Sequence, residues 1–204
     1  MRVGIFGGTF DPVHQGHLIL AEQCREQGQL DEVWFMPTAN PPHKQQGSIT
    51  RFDQRVEMLN LALAGNPAFR VEPIEKEREG PNYTADTLEE LKRRHPDVEI
   101  FLLLGSDSLN DMPNWYQPQR ILEQASLMVM RRADTPVLSD EEIQRQLGHE
   151  VTLTGIEAPP LIDIASRDLR RRVSEGRSIR YLVPRSVECF IQEKKLYQQS
   201  GAGF

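Results

Sequence analysis

A glycine-rich segment with two histidines, residues 7–17, constrains the fold and chemistry of this chain more than any other feature. It spells Gly-Gly-Thr-Phe-Asp-Pro-Val-His-Gln-Gly-His and follows an apolar run, residues 2–6, that predicts a buried first strand. Residues 18–27 after it predict a helix. A strand, a glycine turn and a helix N-terminus together form a phosphate site, because glycines let backbone approach the ligand and the first helical N–H groups point at the anion.

The two histidines of this segment, His14 and His17, can add hydrogen-bond donors or positive charge at the turn. The segment matches neither the P-loop pattern G-x-x-x-x-G-K-[ST] nor the dinucleotide pattern G-x-G-x-x-G. A metal site with Asp11, His14 and His17 as ligands is the alternative, but the sequence has no further cluster such as C-x-x-C or H-E-x-x-H. The segment therefore favours phosphate binding over metal binding.

Composition limits the classes of protein that this chain can form. Its 204 residues are 26% charged and 38% apolar, which suits a soluble globular protein. No apolar stretch approaches the length of a membrane helix, and the apolar start is too short for a signal peptide. We therefore expect a cytoplasmic protein with no membrane partner. The net charge of −6 argues against nucleic acid as a partner, because an acidic surface repels the phosphate backbone.

The two cysteines, Cys24 and Cys189, lie far apart in predicted helices. We expect both to be reduced residues of the core rather than a disulfide, a metal site or a nucleophile.

Apolar runs alternate with helical patterns along most of the chain. We predict strands at residues 3–6, 33–36, 69–71, 100–104, 127–130 and 151–153. Helices are predicted between most of them, at residues 18–27, 52–63, 85–94, 118–124 and 141–147, and then at 166–175 and 187–197. This alternation predicts an α/β fold: a Rossmann-like, doubly wound, mostly parallel sheet with C-terminal helices. No long linker interrupts it, so we predict a single domain over residues 1–204.

Polar, phosphate-compatible loops follow several predicted strands. Residues 7–17 follow the first strand, 37–44 the second, 105–107 the fourth and Arg131-Arg132 the fifth. Ligands of such sheets bind beyond the carboxyl ends of the strands, at the switch in strand order. We therefore expect these loops to converge on one cleft.

Two of these loops carry candidate ligand-binding residues. Lys44 ends a proline-stiffened loop and can act as a point charge for a phosphate, although an exposed loop lysine is the alternative. Gly105 permits flat contact with a base, and Asp107 can accept hydrogen bonds from ribose hydroxyls or an amino group. The alternative for these two residues is a simple turn.

Aromatic and hydroxyl residues supply further candidates. Trp115 can stack on a flat heterocycle or seal the core. Thr84 can cap the helix that follows it, or mark a helix N-terminus that holds a substrate carboxylate. Ser166 lies at a predicted helix start with Arg170 one turn later, where both can bind phosphate or act as a cap and a surface arginine. For Arg171 and Arg172 we prefer a solvated helix face.

The sequence resembles the bacterial nicotinate-nucleotide adenylyltransferases, of the nucleotidyltransferase superfamily with the H-x-G-H motif, over nearly its whole length. The segments that carry the resemblance are residues 7–17, Asn40 with 41–44, 83–88, 105–107, 114–116, Arg131 and 164–170. The resemblance implies transfer of AMP from ATP to nicotinate mononucleotide, with deamido-NAD and pyrophosphate as products and Mg²⁺ as cofactor.

The resemblance also implies roles for individual residues. ATP would be bound by Gly7, Gly8, Thr9, Phe10, His14, His17, Gly105, Asp107, Arg131, Ser166 and Arg170. Nicotinate mononucleotide would be bound by Asn40, Lys44, Thr84, Trp115 and Tyr116. His14, His17, Lys44 and Arg170 would form the catalytic set, and no side chain is assigned as a metal ligand.

The chain departs from the family pattern at one motif. The family's C-terminal motif resembles Ile-Ser-Ser-Thr-x-Ile-Arg, whereas Ala165 and Arg167 here replace a serine and the threonine. The change removes hydroxyl groups and adds a charge where pyrophosphate would be held.

Other functions remain open from the sequence. Phosphopantetheine adenylyltransferases and cytidylyltransferases share much of the first motif. An NAD(H)-dependent oxidoreductase is disfavoured because G-x-G-x-x-G is missing and the second strand ends in Phe35-Met36-Pro37 without an acidic residue for a ribose. A non-catalytic nucleotide-binding module is disfavoured by His14 and His17 beside Lys44. The oligomeric state stays open, a homo-oligomer included.

Overall fold

Six parallel strands form the sheet on which the described part of the chain is built. A computed structural model describes residues 1–39, 49–77, 80, 82–130, 140–147, 153–156 and 163–198. The strands are β1 (Arg2–Gly8), β2 (Glu32–Pro37), β3 (Phe69–Val71), β4 (Glu99–Gly105), β5 (Ser126–Met130) and β6 (Leu153–Ile156).

The strand order is β3-β2-β1-β4-β5-β6, and every pairing is parallel. The chain therefore winds outward from β1 in one direction through β2 and β3, and in the other through β4, β5 and β6. The order reverses between β1 and β4, which lie side by side. The predicted doubly wound α/β fold is confirmed, and the switch point lies where the glycine-rich loop leaves β1.

Helices lie between the strands and at the end of the chain. Their bounds are α1 (Gln15–Gln27), α2 (Phe52–Leu63), α3 (Thr84–Arg94), α4 (Ser106–Asp111), α5 (Pro118–Gln124), α6 (Asp140–Leu147), α7 (Ser166–Ser174) and α8 (Arg185–Glu193). One 3₁₀ helix, Ile74–Glu77, precedes α3, and a second, Met112–Asn114, follows α4.

The sheet buries an apolar layer on each face. Alternate residues of β4 enter opposite layers: Leu103 packs with residues of α1, α2, α7 and α8, whereas Leu102 and Leu104 pack with residues of α3 and α5. Coverage on both faces explains why the strands are nearly continuous apolar runs. The carboxyl edge of the sheet is left for the loops.

Two predicted elements have different bounds in the structure. The sixth strand is Leu153–Ile156 rather than 151–153, because its pairing with β5 runs on past Gly155, a residue with little strand preference of its own. The last helix is Arg185–Glu193 rather than 187–197. It ends early because Lys195 and Tyr197 adopt positive φ values of 52° and 61°, which a helix cannot contain.

Helix starts also differ from the sequence prediction. The first helix begins at Gln15 rather than residue 18, so that His17 lies inside it. Thr84 is the first residue of α3 and Tyr83 is its N-cap, so the prediction that Thr84 caps the helix is wrong. The residues after Gly105 form the short helix α4 rather than a turn. The negative charge of Asp107 in its first turn interacts favourably with the helix dipole.

The two cysteines are both reduced but differ in burial. Cys24 is buried in α1, as predicted, and burial raises the pKa of its thiol to about 12. Cys189 is exposed on α8, so its prediction as a core residue is wrong. The apolar side of α8 is occupied instead by Val187 and Ile191.

None of the helices in the described ranges is both long and apolar enough to span a bilayer.

Truncating the central strand tests this account of the core. Leu103 is a buried residue of β4, and Leu103→Ala would leave a cavity in the core. The substitution is therefore expected to lower the free energy of unfolding by about 2–5 kcal/mol. Urea denaturation followed by circular dichroism measures the change. The control Glu123→Ala, at an exposed position of α5, should stay within about 0.5 kcal/mol of the parent chain. A loss for Leu103→Ala no larger than the control's would contradict the packing.

Candidate functional site

The loop from β1 to α1 ends in a reciprocal pair of histidines. His14 is the N-cap of α1, and its Nδ1 accepts the backbone N–H of His17 at 3.4 Å. In return, Nδ1 of His17 accepts the backbone N–H of His14 at 3.2 Å. The two rings stack with centroids 3.6 Å apart. The pair therefore forms a capping box in which imidazoles take the places usually held by a hydroxyl and a carboxylate.

This arrangement fixes the chemistry that the two rings present. A nitrogen that accepts a hydrogen bond carries no proton, so each neutral ring of the pair holds its proton on Nε2. Nε2 is the ring nitrogen not used in the cap, so the N–H of each neutral ring lies there. Donors of this kind suit phosphate oxygens rather than a metal ion.

Aromatic packing supports the ring of His17. Phe10 meets it edge to face at 5.0 Å between centroids, and Phe6 does so at 5.9 Å. Phe10 is buried although its φ of 49° is in the left-handed region, which costs energy for a residue other than glycine. The surrounding contacts therefore hold the loop in a conformation that its sequence alone would avoid.

The C-terminal motif lies against this loop. The hydroxyl of Ser166, the first residue of α7, donates to the carbonyl of Pro12 at 2.9 Å. Nη1 of Arg170 donates to the carbonyl of Asp11 at 2.6 Å. The structure thus brings together residues 154 and 159 positions apart in the sequence, and both side chains support the backbone of the loop.

The two residues that depart from the family motif have different surroundings. Ala165 is the N-cap of α7 with extended backbone, and it makes no side-chain cap. Arg167 is exposed on the same helix. The loss of the hydroxyl at residue 165 therefore leaves α7 without the side-chain cap that a serine would provide.

The end of β4 places Gly105 and Asp107 beside the loop from β1. β1 and β4 are neighbours in the sheet, and Gly105 pairs with Met130 at the end of β5. A Cβ atom at Gly105 would lie 2.6 Å from Oδ1 of Asp107, so glycine is needed for the carboxylate to keep this position. Asp107 is exposed in the first turn of α4.

A second group of candidates lies at the start of α3. Tyr83 stacks on Tyr116 with centroids 4.3 Å apart, which places Thr84 and Tyr116 in one region. Tyr116 is exposed. Trp115 is half-buried against the core and donates its indole N–H to Asp111 at 3.3 Å, so its ring both covers the core and borders the surface.

Three predicted site residues, Asn40, Lys44 and Arg131, lie outside the described residues. The other candidates fall into the groups above: the glycine-rich loop with Ser166 and Arg170, the end of β4, and the start of α3 with residues 115 and 116.

The sequence reasoning missed a buried polar network beneath the loops. Arg55 of α2 is 1% exposed, and its guanidinium donates to the carbonyls of Thr9, Thr38 and Thr50. Glu75 is 4% exposed and accepts the N–H of Ala39 at 3.1 Å and the hydroxyl of Thr87 at 3.4 Å. Arg55 could have been suspected from the sequence, because it falls on the apolar face of α2 with Met58 and Leu59.

Asp11 belongs to the same network. Its carboxylate is 2% exposed and accepts the hydroxyl of Tyr197 at 2.6 Å and the N–H of Thr50 at 3.2 Å. Burial, and secondly the negative charge of Asp11, raises the pKa of Tyr197 well above its ordinary value, so the hydroxyl stays a donor. With both carboxylate oxygens engaged in this way, Asp11 is a structural anchor, which disfavours its reading as a metal ligand.

Comparisons with known proteins agree with this fold. The cytidylyltransferase-like family model matches residues 5–172. A protein of Thermomicrobium roseum named "Probable nicotinate-nucleotide adenylyltransferase" is 47% identical over 199 residues, which cover 97% of this chain and 92% of that protein. A protein of the same name from Geobacillus thermodenitrificans is 43% identical over 196 residues, covering 96% and 86%.

Solved structures share the fold at lower sequence identity. The nicotinic acid mononucleotide adenylyltransferase of Plasmodium falciparum, complexed with NaAD, aligns with a TM-score of 0.77 and 20% identity over 96% of this chain and 97% of that one. The same enzyme complexed with APC gives a TM-score of 0.75. At this identity the likeness is one of fold.

The doubly wound sheet and the histidine-capped loop at its switch point define a nucleotidyltransferase of the cytidylyltransferase-like class. Within that class the chain belongs to the nicotinate-nucleotide adenylyltransferase family, which the identity to the bacterial relatives shows.

Restoring the missing cap on α7 should stabilise the protein. Ala165 has φ −119° and ψ 135°, a backbone conformation that an N-cap serine adopts. Ala165→Ser is therefore expected to raise the free energy of unfolding by about 1 kcal/mol, measured by urea denaturation. Ala165→Val, which has no hydroxyl, serves as the control and should give no such gain. Equal stability of the serine and alanine forms would contradict the assignment of Ala165 as an uncapped N-cap.

Proposed function

We propose that this chain transfers AMP from ATP to nicotinate mononucleotide and releases pyrophosphate, with deamido-NAD as the product. The observation that carries the proposal is the His14–His17 pair, which presents two Nε2–H donors at the switch point of a nucleotidyltransferase fold. Membership of the nicotinate-nucleotide adenylyltransferase family supports the choice of substrates.

The reaction makes modest demands on side-chain chemistry. A phosphate oxygen of the mononucleotide attacks the α-phosphorus of ATP, and the bond from that phosphorus to the bridging oxygen of pyrophosphate breaks. The attacking group is already an anion at neutral pH, so no general base is needed. The protein must align the two phosphates and stabilise the charge that grows on pyrophosphate.

The glycine-rich loop would supply most of that stabilisation. Its backbone at residues 7–10 would face the triphosphate, with His14 and His17 donating from Nε2. Ser166 and Arg170 would act here in part by holding the loop, because each donates to one of its carbonyls. A guanidinium carries five N–H groups, so Arg170 can bind a phosphate oxygen as well.

The nicotinate ring would lie at the start of α3. The N-cap residue of this helix, Tyr83, makes no side-chain cap hydrogen bond. A substrate carboxylate can take the place of the cap and interact with the helix dipole. Thr84 and Tyr116 would border that carboxylate, with the Trp115 ring stacked on the pyridine. Asn40 and Lys44 would bind the ribose-phosphate part of the mononucleotide.

Adenosine would lie at the end of β4. Gly105 would face the base, and the exposed Asp107 carboxylate would accept from ribose hydroxyls, with Arg131 nearby. A side chain larger than glycine at residue 105 would displace this carboxylate.

Magnesium, location and assembly complete the proposal. The side chains at the loop, those of His14, His17, Ser166 and Arg170, are N–H and O–H donors that fit phosphate oxygens, so Mg²⁺ would be held mainly by the phosphates of ATP. When bound, it would neutralise phosphate charge. We place the reaction in the cytoplasm and in a single domain of residues 1–204. The oligomeric state stays open.

Substrate choice tests the proposal directly. Pyrophosphate release from ATP and Mg²⁺ is measured with nicotinate mononucleotide, nicotinamide mononucleotide and phosphopantetheine in parallel. We expect the first to react with the highest kcat/KM, because only it carries the carboxylate that the start of α3 would bind. Turnover with phosphopantetheine alone would overturn the substrate, and silence with all three would overturn the reaction.

The histidine pair should be needed for turnover, beyond the roughly 1 kcal/mol of stability that loss of the cap on α1 would cost. His14→Ala and His17→Ala are each expected to lower kcat by roughly 10²–10³-fold, the usual cost of losing one preorganised donor. Steady-state kinetics and circular dichroism on the same samples separate the two effects. A loss below about threefold for both variants would sink the assigned role, given that single donors cost far more elsewhere.

A further inference from the structure

Arg55 has an unusual set of partners for a buried arginine. Its Nη1 donates to the carbonyl of Thr9 at 2.7 Å, its Nη2 to that of Thr38 at 2.9 Å and its Nε to that of Thr50 at 2.9 Å. All three nitrogens thus bind backbone, in three segments that follow β1, follow β2 and precede α2. Burial lowers the pKa of the guanidinium, and the nearby charge of Asp11 opposes that effect.

The same three segments are tied to one another. The N–H of Thr38 donates to the carbonyl of Gly8 at 2.9 Å, and the N–H of Thr50 donates to Asp11 at 3.2 Å. Arg55 therefore holds the carbonyl of Thr50 and Asp11 holds its N–H, and together they tie residues 8–11 of the loop to this segment. Keeping a charge this deeply buried is costly unless its hydrogen bonds are complete, and here each guanidinium nitrogen has a partner.

Fixing the carbonyl of Thr9 also fixes the next N–H. The peptide bond between Thr9 and Phe10 is trans, so the carbonyl of Thr9 and the N–H of Phe10 point in opposite directions. Because the carbonyl points at the buried Arg55, the N–H of Phe10 points away from it. The positive φ of Phe10 gives the loop this shape at a cost that the Arg55 hydrogen bond helps to offset.

We propose that Arg55 is a positioning residue for the triphosphate of ATP: it aims the Phe10 N–H by holding the Thr9 carbonyl from the protein interior. Arg55 does not touch the substrate. A lysine at this position has one point charge in place of a planar fork and cannot reach three carbonyls in three directions. This inference rests on the proposed function, since it assigns the loop to the phosphates of ATP.

Ligand affinity tests the inference without turnover. Calorimetry compares α,β-methylene-ATP, which carries a triphosphate chain, with adenosine, which carries none. Arg55→Lys is expected to weaken binding of the analogue roughly tenfold, about the loss of one hydrogen bond to a charged group, and to leave adenosine affinity within about twofold. The control Arg70→Lys, an arginine of β3 paired with Glu72, should change neither.

Two results would overturn the inference. Equal loss for both ligands would mean that Arg55 only maintains the fold, and no loss for either would mean that the loop does not need it. If Arg55→Lys does not fold, Asp11→Asn takes its place: it removes the charge that accepts the N–H of Thr50 and should show the same selective loss of analogue affinity.

Turnover gives a second readout and separates this inference from the proposed function. If Arg55 acts through the loop, the double variant Arg55→Lys/His17→Ala should lose less kcat than the product of the losses in the two single variants. Fully multiplicative losses would contradict a shared mechanism. If neither the parent chain nor Arg70→Lys releases pyrophosphate with nicotinate mononucleotide, the proposed function is wrong. The comparison of analogue and adenosine binding would still decide the role of Arg55.

Discussion

The hydrogen bonds that hold the carbonyls of the loop after β1 are the interactions on which the site depends. Arg55 of α2 holds Thr9, while Arg170 and Ser166 of α7 hold Asp11 and Pro12. Arg55 satisfies the carbonyl of Thr9 from the interior, which leaves the opposite side of that peptide group for an anion. Such a site is preorganised, because its dipoles are fixed by the fold before any ligand arrives.

Catalysis in this account is positioning rather than acid–base chemistry. The nucleophile is a phosphate that is already charged, and the protein supplies N–H donors held in fixed directions. In the proposed mechanism the histidine pair would contribute to this, since each ring uses Nδ1 to cap α1 and would donate from Nε2. The same backbone contacts that cap the helix N-terminus would therefore set the tautomer used in the proposed reaction.

Local sequence patterns predicted the elements that depend on residues close together in the chain. The strand–glycine–helix context of residues 7–17 and the alternation of apolar runs gave the sheet and the main loop. The structural roles of Arg55 and Asp11 were missed because their partners are distant in the sequence. Arg55 binds Thr9 across 46 positions, and Asp11 binds Tyr197 across 186. Tyr197 also explains the error in α8, since the chain leaves the helix with positive φ values and places this hydroxyl on Asp11. Contacts between distant residues override local propensity, and a single sequence does not show them.

The stereochemical course at the α-phosphorus of ATP tests the central claim most directly. ATP with one α-phosphate oxygen replaced by sulfur in a defined configuration is reacted with nicotinate mononucleotide, and the configuration of the product is determined. Direct in-line transfer on a preorganised loop predicts inversion. Retention would mean two successive displacements through a covalent enzyme intermediate, and it would contradict a site that works by positioning alone.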